Sequence, residues 1–220
     1  MYVYSKITSG FDKNRNLVKR SYTPISRVNQ RGCVTFLIKV YHPTERFPEG
    51  GILTQYLSNL HIGDTITMDG PKGKVRYLGK GVFYFKKTEK KKKFNKISMI
   101  AGGTGIAPCY QLIIHMLEEK DQKYDLRLLF GNRTKNDILL KDELDTLRDN
   151  NHLKVTYTVD KGDPGWKGLT GFIDKSMIEN AFCQPSEDHL VFYCGPKPMN
   201  KEIKIILFEL GFDESNTFKF

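Results

Sequence analysis

The segment that most restricts the fold is Ile97-Ser98-Met99-Ile100-Ala101, followed at once by Gly102-Gly103-Thr104-Gly105-Ile106-Ala107-Pro108. The short apolar run reads as a buried strand. The glycines after it let the backbone turn sharply and approach a ligand, and a helix starting there offers unpaired N–H groups to a phosphate or diphosphate. Pro108 suits the first helical turn, where its missing N–H costs nothing. The pattern is not G-x-G-x-x-G, because Pro108 occupies the place of the third glycine. A Rossmann dehydrogenase would also carry an acidic residue at the end of its second strand, and here residues 126–130 run into Gly131-Asn132. Taken alone, the segment also fits a tight strand-to-helix turn without a ligand.

The rest of the second half repeats this rhythm. Residues 126–130, 153–159, 189–194 and 217–220 read as strands. Residues 108–119, 136–148, 175–182 and 200–210 read as helices, with apolar residues three and four apart such as Leu112, Ile113, Met116 and Leu117. Strands alternating with helices predict a doubly wound parallel sheet. A second turn, Cys194-Gly195-Pro196-Lys197-Pro198-Met199, lies where another strand gives way to a helix. Ligands of such sheets bind beyond the carboxyl ends of the strands, so the two turns would wall one crevice. No base stands near Cys194 in sequence to activate its thiol, which reads as a contact residue rather than a nucleophile.

The first half differs. Residues 17–22, 33–41, 65–69, 74–78 and 82–85 read as strands between Gly-containing turns, and only 52–60 reads as a helix, which predicts a small antiparallel barrel. The charge is as uneven as the pattern. Residues 1–96 carry 20 Lys and Arg against 6 Asp and Glu, a net of +14, while 97–220 carry 15 against 19, a net of −4. Two domains with a basic face on the first are expected, divided in the charged run 86–96, which reads as a solvated linker. Nucleic-acid binding would rest on that lysine run alone, with no recognised module and no interleaved aromatics. No apolar run reaches membrane-spanning length, and the start does not read as a signal peptide. Cys33, Cys109, Cys183 and Cys194 lack metal or dithiol spacing and are expected reduced. His42, His61, His115, His152 and His189 are scattered, so no metal site and no acid–base constellation are expected.

One more cluster carries chemistry, Arg20-Ser21-Tyr22-Thr23-Pro24. An arginine fork can pair with a diphosphate, and a tyrosine two residues on shares its face of a strand, where the ring can meet a flat heterocycle. Without further context the same residues make an ordinary amphipathic strand.

In order, R-x-Y-T-P, V-x-x-x-I-K-V-Y from Val34 to Tyr41, Gly50-Gly51 before a helix, Asp69-Gly70-Pro71, G-G-T-G-I-x-P and C-G-P-x-P-M resemble the ferredoxin-reductase-type flavoenzymes, and within them the NADH-cytochrome b5 reductase family. Gln55-Tyr56-Leu57, Ile62-Gly63-Asp64-Thr65-Ile66, Asp137-Ile138-Leu139-Leu140, Tyr157-Thr158-Val159-Asp160 and the terminal Phe220 extend the likeness over nearly the whole chain. The resemblance implies an incomplete antiparallel β-barrel FAD domain over residues 1–90, followed by a doubly wound parallel α/β NADH domain over 97–220. It implies electron transfer from NADH through FAD to cytochrome b5 or a similar acidic one-electron carrier. The chain is expected to work as a monomer in the cytoplasm, reaching a membrane only through a partner.

The family also implies roles. Arg20, Ser21, Tyr22 and Thr23 would hold the flavin and its diphosphate, and Gly50, Gly51, Ile52, Leu53 and Thr54 would cradle that diphosphate. Lys39, with Tyr41 beside it, would reach toward the NADH diphosphate. Gly103, Thr104, Gly105 and Ala107 would line the nicotinamide crevice, with Cys194, Gly195, Pro196 and Met199 opposite. Asp160 would accept hydrogen bonds from the adenosine ribose and repel a 2′-phosphate, and Phe172 would pack by the adenine. Ala107 stands where the family has a hydroxyl, Ile52 where it has a lysine and Ser21 where it has a proline. The family's barrel also has strands upstream of the segment matching Tyr2–Lys6, so this chain is expected to enter the barrel part-way. Other readings are a flavin domain of nitrate reductase type and a nucleotide-binding protein without turnover.

Overall fold

The computed structural model describes residues 4–11, 17–45, 47–119 and 121–220. In the first half, β1 (Tyr4–Phe11) pairs antiparallel with β2 (Leu17–Tyr22) on one side and β3 (Thr67–Lys72) on the other. The helix α1 (Ile52–Ser58) covers this sheet, burying Leu53 against Ile7 and Val18. Among the described residues this cluster is small, with Ile7, Val18 and Leu53 at its centre.

The segment 33–41, expected as a strand, belongs to none among the described residues. Its ladder is reduced to a single bridge, Phe36 to Pro24, beside one hydrogen bond from Ile25 N–H to Thr35 O at 2.8 Å. Alternating side chains permit an extended conformation, but a strand also needs a neighbour in register.

A second antiparallel sheet follows, built from β4 (Val75–Gly79), β5 (Val82–Phe85) and β6 (Lys90–Lys93). The β4–β5 hairpin closes through Lys80-Gly81, whose φ values of 52° and 73° are those of a two-residue turn with both residues left-handed. Lys80 tolerates this because its N–H donates to the Glu119 carboxylate at 2.9 and 3.1 Å. The lysine run expected as a solvated linker is, in its last four residues, an edge strand. Phe83 pairs with Lys92 and Tyr84 with Lys91, so the backbone is in the ladder while the ammonium groups guard the edge. The Lys92 Nζ lies 5.0 Å from the Phe94 ring centroid, its charge out and its stem on the aromatic.

The second half is a six-stranded parallel sheet in the order β10-β9-β8-β7-β11-β12. Its strands are β7 (Lys96–Gly102), β8 (Asp125–Asn132), β9 (Lys154–Val159), β10 (Leu169–Thr170), β11 (His189–Cys194) and β12 (Thr217–Lys219). Ile97, Met99, Ala101, Leu126, Leu128, Phe130, Leu190 and Phe192 face α2 (Ile106–Leu117) and α3 (Lys141–Asp149). The alternate residues Ile100, Leu129, Val191 and Tyr193 face α4 (Lys175–Ala181) and α5 (Lys197–Glu209). That two-residue period, apolar on both faces, is what the sheet requires. His189 lies within it as a structural residue, its Nε2 2.8 Å from Ser98 Oγ. Burial holds its pKa below the ordinary histidine value.

The helix expected over 136–148 begins later, at Lys141. Leu140 has φ 56°, which breaks the helical path, and a single 3-10 turn, Lys135–Asp137, precedes it. The edge strand β10 has no counterpart among the expected strands. No helix of the described residues is long and apolar enough to cross a membrane.

Val75, Tyr77, Phe83 and Phe94 join the same core as α2 and its face of the parallel sheet. The hydrogen bonds Tyr77 Oη to Tyr124 Oη, 3.1 Å, and Tyr124 Oη to Glu119 Oε2, 2.6 Å, seal that contact. Phe83 is 1% exposed at its centre. Replacing it with Ala is expected to lower stability by about 3–5 kcal/mol, read as a fall in the urea midpoint, because a buried aromatic leaves a cavity that its neighbours fill only in part.

Candidate functional site

The turns that end β7 and β11 meet. Both strands are parallel neighbours, with Cys194 beside Ala101, so their exits lie side by side. A side chain at Gly105 would overlap the backbone carbonyl of Cys194, so this approach requires glycine. Gly103 is required for another reason. Its φ is 53°, and no atom stands within 4 Å of where a Cβ would be, so the backbone there is bare on its open side. Asn200 steadies the second turn by donating from Nδ2 to the Gly195 carbonyl at 2.6 Å.

These turns form one wall of a crevice of about 1060 Å³. Gly103, Thr104, Gly105 and Ala107 line it from the first turn, and Cys194, Gly195, Pro196 and Met199 from the second. The opposite wall comes from the first half, with Ser21, Tyr22 and Thr23 at the end of β2, then Lys39, Tyr41 and Thr54. Asp160 and Phe172, which follow β9 and β10 of the parallel sheet, line the crevice as well. Phe172 is 82% exposed, an aromatic face held open to a planar partner.

Other expected residues are placed elsewhere. Arg20 is exposed and donates from Nη1 to the Lys19 carbonyl at 2.9 Å. Gly50, Gly51, Ile52 and Leu53 do not line the crevice, and Leu53 is spent in the small core. Gly51 N–H donates to the Tyr41 carbonyl at 2.7 Å. The Thr54 hydroxyl accepts from Tyr41 N–H at 3.2 Å and donates to the Gly51 carbonyl at 2.9 Å, which ties the start of α1 to the crevice wall.

Lys39 spans the crevice to Asp137, 2.8 Å away, and Asp137 also accepts from Thr134 Oγ1 at 2.8 Å. The Lys39 hydrogen bond, then that of Thr134, holds the Asp137 carboxyl below the usual carboxylate range. Burial pushes the Cys194 thiol up to about 11 against a small opposing pull from Lys219, so it is a neutral thiol near neutral pH. Burial likewise raises the Tyr22 phenol.

The sequence pattern missed Leu37, Asn132, Arg133, Asp137 and Thr158, all of which line the crevice. Asn132 is the most informative. It is 6% exposed, yet neither Oδ1 nor Nδ2 has a protein partner. An unsatisfied buried amide costs about 1–3 kcal/mol, so a carboxamide on a crevice wall fits a ligand that carries both donors and acceptors. Bare glycine backbone, a paired cation and an open aromatic face complete a surface that suits nucleotide cofactors.

Residues 2–77 match the family model of the oxidoreductase FAD-binding domain, and residues 99–204 that of the oxidoreductase NAD-binding domain. The NADH-cytochrome b5 reductase 2 of Gallus gallus is 40% identical over 216 residues, covering 94% of this chain and 71% of its own length. The NADH-cytochrome b5 reductase 3 of Rattus norvegicus is 41% identical over 194 residues, covering 84% and 64%. Among solved structures, the cytochrome b5 reductase domain of Ulva prolifera nitrate reductase is similar with a TM-score of 0.92 and 34% identity, over 99% of this chain and 83% of that one.

The raised thiol makes a direct expectation. Only the thiolate is alkylated, and a pKa raised to about 11 keeps Cys194 protonated below that pH. Iodoacetamide labelling of the exposed Cys33 should therefore run well ahead of Cys194 at pH 8, with Cys194 labelling still rising at pH 10. Mass mapping of the labelled peptides checks it, and equal labelling at pH 8 would contradict the buried, neutral assignment.

Proposed function

This chain belongs to the NADH-cytochrome b5 reductase family, and on that premise we propose that it passes electrons from NADH through FAD to a one-electron carrier such as cytochrome b5. The observation that carries the reading is the single crevice walled by β2 on one side and by the β7 and β11 turns on the other. Two planar cofactors can meet there. When bound, they supply the redox chemistry themselves, a hydride passing from nicotinamide to flavin and single electrons leaving the flavin.

The chain's own residues bind, orient and exclude. Tyr22 and Thr23 would present a ring and a hydroxyl to the flavin, with Arg20 turning its fork to the diphosphate. Gly50, Gly51, Ile52, Leu53 and Thr54 would offer backbone at the start of α1. Gly103, Thr104 and Gly105 would admit the nicotinamide against bare backbone, with Cys194, Gly195, Pro196 and Met199 closing over its other face. Lys39 would exchange Asp137 for the NADH diphosphate, and Asp160 and Phe172 would take the adenosine end. A protonated Cys194 thiol would bring no charge of its own to the nicotinamide, which fits a contact residue rather than a nucleophile. Ala107, 6% exposed, adds no hydroxyl to the flavin environment.

The strongly positive first half, +14 over residues 1–96, suits docking of an acidic carrier, whose encounter rate complementary charge would raise. A second reading, a reductase domain serving a nitrate reductase, is favoured by the TM-score of 0.92 to such a domain.

The test is to load the purified chain with FAD and follow NADH oxidation with cytochrome b5 and with a neutral dye. Reduction of cytochrome b5 should fall several-fold as ionic strength rises from about 0.01 to 0.3 M, while dye reduction stays level. A chain that binds FAD but oxidises no NADH with either acceptor would be a nucleotide-binding protein without turnover.

A further inference from the structure

We infer that the chain carries a second binding site, a cavity between α3 and the β10 edge of the parallel sheet that takes a planar aromatic acid. The site goes beyond the electron-transfer reading and does not depend on it. Its cavity measures about 490 Å³, within the range of small-molecule sites, and shares no lining residue with the crevice.

The loop that follows β9 places an indole on this cavity. The chain runs out through residues 160–168 and returns as the edge strand β10. Trp166, the one tryptophan of the chain, stands in that loop and lines the cavity half-buried. Its Nε1 donates to the Leu169 carbonyl at 2.8 Å, which fixes the ring. A side chain at Gly168 would overlap the indole, and one at Gly162 would stand 3.2 Å from it, so the loop closes on the ring only with glycine at 168. Val155, Tyr157 and Leu169 add apolar surface beside it. With its one donor spent, the indole offers a ligand its apolar face.

The charge around the indole has one sign. Lys135, Lys141, Arg148 and Lys167 line the cavity, and among the described residues no carboxylate does. Two of these cations are engaged from outside the lining. Asp145 accepts from Lys141, accepts from Tyr157 Oη at 2.9 Å, and stands 2.9 Å from Arg148 Nη1. Asp149 accepts from Arg148 Nε at 2.9 Å. Lys135 and Lys167 are exposed and have no ion pair among the described residues. The four cations against Asp145 and Asp149 leave two positive charges beside an aromatic wall. A small inorganic anion would leave the apolar surface unused, and an uncharged ring would leave the lysines without a partner. A planar aromatic acid meets both, with its ring on Trp166 and its carboxylate among the ammonium groups.

Because no other tryptophan is present, the Trp166 indole N–H gives a single nitrogen–proton NMR signal that reports on this cavity. The FAD-loaded full chain is titrated with 2-naphthoate and with its uncharged analogue 2-naphthamide, each with and without saturating NAD+. Naphthoate should shift the indole signal saturably with a Kd of about 1 mM or tighter, as a ring of that size allows. The amide should bind about tenfold or more weakly, since it lacks the charge-assisted hydrogen bonds. Saturating NAD+ should change the naphthoate Kd by less than about twofold, because the two sites share no residue. The double variant Lys135→Gln, Lys167→Gln should weaken naphthoate about tenfold or more and the amide by less than about twofold. The inference is overturned if acid and amide bind alike, or if the indole signal stays fixed at about 10 mM naphthoate. It is equally overturned if NAD+ displaces naphthoate, which would put the ligand in the crevice. A chain that binds naphthoate in the expected way yet oxidises no NADH would sink the reductase reading and leave this site standing.

Discussion

The site depends on the fit of Gly105 against the carbonyl of Cys194, which leaves no room for a side chain, with β7 and β11 running parallel beneath them. It forces the two strand exits into one surface, so neither turn can be read alone. Because Gly105 admits no side chain, the start of α2 lies against the β11 turn and brings Ala107 to the same wall as Cys194. The crevice is thus a consequence of strand order. The sheet places β8 on one side of β7 and β11 on the other, and the opening falls where the order reverses.

A second constraint fixes the other wall. The small sheet of β4, β5 and β6 shares its core with α2, so the first half is not a free body appended to the second. Lys39 adds a polar tie to Asp137 across the opening, and Glu119 holds the β4–β5 hairpin by its backbone. The ionic tie at the crevice is the weaker kind of link, since a partly exposed pair is worth about 1 kcal/mol or less. It can therefore be exchanged for a ligand's phosphate, while the buried aromatic contacts of Tyr77, Phe83 and Phe94 persist.

The parallel sheet was legible in the sequence because its strands are apolar on both faces and end in glycine-rich turns. Its crevice was legible for the same reason, since Gly103, Gly105, Cys194 and Gly195 follow strands whose carboxyl ends must meet. What escaped the sequence has physical causes. Four consecutive lysines carry no alternation, so the ladder that β6 makes through its backbone leaves no trace in residue type. Residues 33–41 alternate well but have only one bridge, and pairing is a property of the neighbour. Leu140 belongs to an apolar helical period, and its left-handed φ follows from the turn before α3 rather than from its side chain. Asn132 closes a strand whose residue types give no hint of a ligand, and it gains meaning only when its buried side chain is seen without a partner.

The central claim is that the two walls bring NADH and FAD together in one crevice. Anaerobic titration of the FAD-loaded chain with NADH, followed by flavin absorbance, tests it without any acceptor or docking partner. The account predicts that about one equivalent of NADH bleaches the flavin fully, as expected for one hydride per flavin. Flavin that is bound yet stays oxidised through several equivalents of NADH would contradict it.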